Sequence, residues 1–254
     1  MSDWQNYLDL SHGTPFRFSI CGDESCLTED GVPILRPGAD RAITQHPECA
    51  TDFLRRLASG GLELRSQQRI ARLLVDLRER CHDDAGTDWT AVRPHLKNAL
   101  LALSAHALEM MSAQGATVDL TDDDLSEYDA FGPEACIRHG LSVARTLAQA
   151  AFLKALADKL LKEPRPSDLC GEWKLVITAP QDPGYARAFA GLYGGAAHAR
   201  IKAVPRAKHW ELVFLNFPPL FNWFGLEQAA YEAAAPAVAK TLVASVSAFG
   251  QLSD

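Results

Sequence analysis

The chain has 254 residues, 47% hydrophobic and 22% charged, which is enough apolar material for one large domain or two small ones and too much for a disordered protein. A formal net charge of −7 argues against duplex nucleic acid as the main partner. Six cysteines are too sparse to staple a chain of this length, so reduced thiols are expected. No run approaches the ~18 apolar residues of a membrane-crossing helix. The opening MSDWQNYLDL also lacks a basic region followed by an apolar one, so the sequence reads as a cytoplasmic protein without a membrane span, and its Ala, Arg and Leu richness reads as bacterial.

Residues 1–47 show no sustained periodicity and carry turn formers throughout, as in HGTP, CGDE, EDGVP and RPGAD, with RFSI and VPIL as short strand candidates. Cys21, Cys26, His46 and Cys49 fall in or just after this segment as a C-x₄-C pair and an H-x₂-C pair. Zinc requires thiolate sulfur and imidazole nitrogen to converge tetrahedrally, and structural sites usually pair cysteines with two to four residues between them, so the first pair is at the wide end. Ordinary loop thiols and an isolated histidine fit the spacing better, with Zn or Fe at these four residues kept as the alternative.

Helical patterning then begins. TDFLRRLASGG predicts a short helix capped by Thr51 or Asp52 and stopped by Gly60 and Gly61. From Leu64 to His82 a second helix places Ile70, Leu73, Leu74, Leu77 and Cys81 on one face. Trp89 to about Ala113 predicts a third, whose stripe is Leu96, Leu100, Leu103, Ala107 and Met110. Leu101, Leu108 and Met111 add apolar groups elsewhere, so this helix is expected to be central and buried on most sides. The acidic TVDLTDDDLSEYDAFGP reads as a solvated helix start rather than a calcium loop. Pro133 opens the longest helix, through Lys162, with a narrow face of Ile137, Leu141, Ala144, Ala148, Ala151 and Leu160. Four helices with short links suggest a bundle.

After EPRPSD the character turns to β. WKLVITA, ARIKAV and HWELVFLNF are strand candidates, with a short helix from Tyr185 to Tyr193 between the first two. Leu226 to Phe249 reads as helical, kinked or split at Pro236.

Signatures of chemistry are scarce. No nucleophile elbow, P-loop, dinucleotide fingerprint or H-E-x-x-H occurs. His95 and His106 share a helix face but lie ~16 Å apart along the axis, too far for one metal. Glu109, Cys136 and His139 complete no di-iron pattern, so these histidines read as ordinary hydrogen-bonded side chains.

The richest region is 198–224. Arg200, Lys202, Arg206, Lys208 and His209 concentrate positive charge in an acidic chain, with Arg200 and Lys202 on one strand face. Such a strand suits a charge-protected sheet edge or a docking edge for an acidic peptide. Phe217, Phe221, Trp223 and Phe224 follow closely, as filler between helices and sheet or as an aromatic anchor for a partner. The expected fold is α+β and mostly helical: an irregular segment over 1–47, a helical bundle over 48–165, and a small three-stranded sheet with covering helices over 166–254. The expected function is an adaptor that binds a protein or acidic peptide through these residues. A metal-binding enzyme or metal-stabilised protein is the alternative, using the N-terminal Cys/His cluster or the bundle histidines. A secreted effector or toxin with unfamiliar chemistry is a third class.

Overall fold

The computed structural model describes residues 39–59, 67–83, 87–118, 133–163, 171–178, 199–214 and 224–252. The chain forms two compact units, each discontinuous in sequence. One comprises Met1–His106 and Leu156–Pro166, the other Ala107–Ala155 and Ser167–Asp254.

Unit one is helical wherever it is described: α1 (Ala39–Gln45), α2 (Pro47–Ala58), α3 (Gln67–Asp83), and parts of α4 (Thr87–Val118) and α5 (Pro133–Lys162). The segment expected to be irregular therefore contains a helix, α1, whose Ala42 and Ile43 are buried. α2 also starts at Pro47, four residues before Thr51 and five before Asp52, its expected caps. The reason is Pro47, which confines the preceding residue to extended geometry. His46 accordingly sits at φ −122° and ψ 115°, separates α1 from α2, and leaves Pro47 at the start of α2, where a missing N–H breaks no helical bond.

On α3 the predicted stripe of Ile70, Leu73, Leu74, Leu77 and Cys81 is buried throughout. Each large aliphatic side chain removed from water in this way contributes about 1.5–3 kcal/mol. Two arginines satisfy helix-end carbonyls that lack intrahelical donors: Arg78 Nε donates to Leu160 O of α5 at 2.8 Å, and Arg93 Nε to Cys81 O of α3 at 2.7 Å. Ser104 Oγ of α4 donates to Asp158 Oδ1 of α5 at 3.1 Å.

The two long helices exchange the roles expected of them. α4 is one-sided: Leu96, Leu100, Leu103 and Ala107 are buried, whereas Leu101 and Leu108 are 49% and 47% exposed. α5 buries far more than its predicted narrow stripe, adding Val143, Leu147, Phe152, Leu153 and Leu156. Both helices divide between the units, so the anticipated four-helix bundle does not close as a body of its own. Among the described residues, no helix is long and apolar enough to cross a membrane.

Unit two is built on an antiparallel sheet of β1 (Gly171–Thr178), β2 (Ala199–Val204), β3 (His209–Phe214) and β4 (Val246–Leu252), in the order β2-β3-β1-β4. The expected three strands are thus four among the described residues. The segment read as helical to Phe249 is helix only as α6 (Phe224–Leu242), and the remainder turns back as β4. α6 ends with Ala244 N–H donating to Ala239 O and Val243 N–H to Lys240 O, around a left-handed Val243 at φ 47°. These are the paired bonds of a Schellman cap, which normally places glycine at the left-handed position. Pro236 lies within α6 without ending it; both it and Glu232, whose carbonyl loses its helical donor there, face solvent.

Leu175, Ile177, Leu212, Phe214, Ala199 and Ile201 make up the buried face of the sheet, which α6 covers with Leu226, Ala230, Tyr231, Ala234 and Val238. Tyr231 stacks on Phe214 with ring centroids 5.7 Å apart, and its hydroxyl accepts the Phe214 N–H at 3.3 Å, beyond the end of the β1–β3 pairing. The Phe224 ring lies 5.0 Å from that of Trp173. Gly250 stands opposite Trp173 in the β1–β4 register, and a Cβ there would strike the indole, so glycine leaves the room the ring occupies.

Candidate functional site

The hairpin β2–β3 positions the cationic residues. Val204 and His209 close it, Pro205–Ala207 form a 3₁₀ turn, and Lys208 returns the chain through a left-handed φ of 55°. Proline presets the first turn residue, while Lys208 takes the conformation in which Gly or Asn is usual. Arg200, Lys202, Arg206 and Lys208 are all exposed. Arg200 and Lys202 stand on the sheet face that α6 leaves open, with Ile201 buried on the other and Ala203 exposed near the strand's end.

Backbone polarity follows from one bond. Thr178 N–H donates to Ser245 O at 2.9 Å, continuing the β1–β4 register by one pair. Hydrogen-bonded and non-bonded pairs alternate along an antiparallel ladder. Even-numbered β1 residues therefore bond to β4 and odd-numbered ones to β3; even-numbered β3 residues bond to β1 and odd-numbered ones to β2. On β2, Arg200, Lys202 and Val204 spend their backbone groups on β3, whereas Ala199, Ile201 and Ala203 aim theirs away from the sheet. Among the described residues nothing pairs with that side, so β2 is an edge.

Glu211 stands directly opposite Lys202, yet its carboxylate is taken by Lys174 of β1, with Nζ 2.6 Å from Oε1. The hydrogen bond from Lys174 holds the Glu211 carboxyl below the usual carboxylate range, with a smaller contribution from His209, whose Nε2 lies 3.5 Å away. The cation of Lys174 also sits 5.5 Å from the centre of the Phe249 ring. The open face thus carries an internally neutralised Lys174–Glu211 pair next to β2 cations that, among the described residues, make no ion pair.

The other predicted site residues are only partly within the described residues. Phe224 turns inward onto Trp173, and Phe217, Phe221 and Trp223 lie outside the described residues. Of the proposed metal ligands, Cys21 and Cys26 also lie outside them. Cys49 is fully buried in α2, and burial, reinforced by Glu48 and Asp52, pushes its thiol up to about 12, which disfavours the thiolate a metal requires. Among the described residues no three His, Cys, Asp or Glu side chains converge as metal ligands, and His95, His106, Glu109 and His139 form no such group; the Cys136 side chain lies outside the described ones.

Sequence reasoning passed over two features. The β-prone SVSAF follows an Ala-rich helix with no glycine or proline between them, so no local signal separates strand from helix. A wide-open cleft of about 410 Å³ in unit one is lined by Thr44, Asp76, Glu79, Arg80 and Asp83 from two helices separated in sequence. Burial, and then Glu79, raise the Asp76 carboxyl despite Arg72 and Arg80. Among the described lining residues there is no cysteine, serine or histidine, and the Thr44 hydroxyl donates to Asp40 O at 2.9 Å within its own helix. No protein-family model, curated protein or solved structure matches this chain.

Proposed function

We propose that the chain is an adaptor that adds an extended acidic peptide to its sheet along β2. The observation that supports this reading is the coincidence of outward backbone groups at Ala199, Ile201 and Ala203 with the exposed cations Arg200 and Lys202, which make no ion pair among the described residues. An added strand takes affinity from main-chain hydrogen bonds and specificity from alternate side chains. Here acidic side chains would lie beside Arg200 and Lys202, and small apolar ones beside Ile201 and Ala203. Arg206 and Lys208 would extend the positive field past the hairpin tip, steering an acidic partner at low salt. Elsewhere the chain is acidic, so the same charge balance disfavours nucleic acid.

The test uses a labelled peptide of alternating Glu and Val. It should bind with an affinity that falls as salt rises and drops about tenfold or more on the double change Arg200→Glu and Lys202→Glu. Ala203→Pro removes an outward N–H without touching the ladder to β3 and should weaken binding while the protein still folds. Unchanged binding in both variants sinks the reading. The metal alternative rests on Cys21, Cys26, His46 and Cys49, and one zinc or iron per purified chain by elemental analysis would establish it.

A further inference from the structure

The two margins of the sheet differ in chemistry. β4, read as VSAFGQL, carries no charge and no proline, the devices that usually keep an edge strand from pairing with another chain. Its outer side has no partner among the described residues. Large exposed apolar side chains also gather here: Phe249 and Leu252 are 48% and 49% exposed, and Val243 just before the strand is exposed as well. The alternation established at Thr178 and Ser245 directs the backbone groups of Ser247, Phe249 and Gln251 to β1, and those of Val246, Ala248, Gly250 and Leu252 outward.

We propose that β4 is the surface through which two copies of this chain associate, antiparallel about a two-fold axis at Phe249. Centred there, the pairing sets Val246 against Leu252 of the second copy and Ala248 against its Gly250, so every outward N–H and C=O of the strand finds a partner. Phe249 meets its own copy in the non-hydrogen-bonded pair, where Cα atoms approach to ~4.5 Å and side chains interact most closely. Ser247 faces Gln251, two polar groups able to bond. Leu252 and Val246 meet on the opposite face. No pair in this register opposes like charges.

The same operation on β2 gives the contrary result. A two-fold axis at Ile201 would pair the outward Ala199, Ile201 and Ala203, but would press Arg200 against Lys202 of the other copy. The neutral margin is therefore the one suited to a second copy. The assembly would be a continuous sheet ordered β2-β3-β1-β4-β4-β1-β3-β2, with a cationic edge at each end. The association does not depend on the peptide reading of β2.

Sedimentation velocity of the full chain across a concentration series should show a monomer–dimer equilibrium. Phe249→Glu sets two carboxylates together at the axis while offering Lys174 a partner within its own chain; it should fold and weaken association at least about tenfold. Ala248→Pro deletes an outward N–H and should act in the same direction, with circular dichroism confirming its fold. Phe249→Cys should form a disulfide-linked dimer on mild oxidation, beyond any linkage of the native thiols in the unaltered chain. A chain monomeric at every concentration overturns the proposal, as does a dimer insensitive to Phe249→Glu and Ala248→Pro. Dissociation by Phe249→Glu without cross-linking by Phe249→Cys overturns the register.

Discussion

Among the described residues, Val243 has the backbone conformation least suited to its side chain. A β-branched residue in the left-handed region is strained by roughly 1–2 kcal/mol, and glycine at the same step of a Schellman cap is not. Because Val243 is exposed, Val243→Gly removes no core contact. It should stabilise the protein by about 1 kcal/mol, read as a higher denaturation midpoint with an unchanged denaturant slope. The absence of glycine at this stop is also why the sequence pattern reads as helix on to Phe249. Asp76 supplies a second prediction at this scale. Its carboxyl holds its proton to higher pH in the folded chain than in the unfolded one, chiefly through burial. The unfolded state therefore binds fewer protons through that interval, and stability falls as pH rises from the ordinary aspartate range near 3.9 through the raised value. Asp76→Asn removes that penalty, so its melting temperature should exceed that of the parent at pH 7. The gap should close as pH drops below the ordinary aspartate range.

Between elements, the α5–α6 crossing in unit two is set by one glycine. A Cβ on Gly140 would run into the Thr241 side chain, and that threonine is tied down by the bond from its hydroxyl to Ala237 O at 2.7 Å. Gly140→Ala should destabilise by about 1–3 kcal/mol, measured by chemical denaturation. A second change, Thr241→Ala, should recover part of the loss by clearing the space, and a double-mutant cycle measures that coupling. Gly140 could be noticed in sequence as a glycine inside a long helix, but its neighbour lies a hundred residues away. Sheet edges follow the same logic. The strands ARIKAV and HWELVF are legible from β-branched and alternating residues, and their charge suggested an edge. Which strands lie at the margins follows only from the order β2-β3-β1-β4, a property of long-range pairing.

For the molecule as a whole, the buried thiols of unit one report on opening. Cys49 and Cys81 are both buried, and burial raises both thiols, so neither the thiolate nor access to it is present in the native state. Mass-spectrometric mapping after reaction with a thiol reagent at pH 8 should find both protected, with labelling that accelerates together with unfolding in denaturant. Much of the architecture follows from sequence alone. The α3 stripe, the start of α5 at Pro133, three of the four described strands and the mixed α+β character were set by local chemistry, because helix and strand periods and proline geometry act over a few residues. Only the tertiary structure decided that α4 keeps Leu101 and Leu108 in solvent while α5 is buried widely, since periodicity shows that a face is apolar but not whether another element reaches it. It likewise decided that Lys174 takes Glu211 away from the β2 cations, and that a neutral strand closes the far side of the sheet. Those outcomes depend on residues brought together from distant parts of the chain, and no local pattern encodes them.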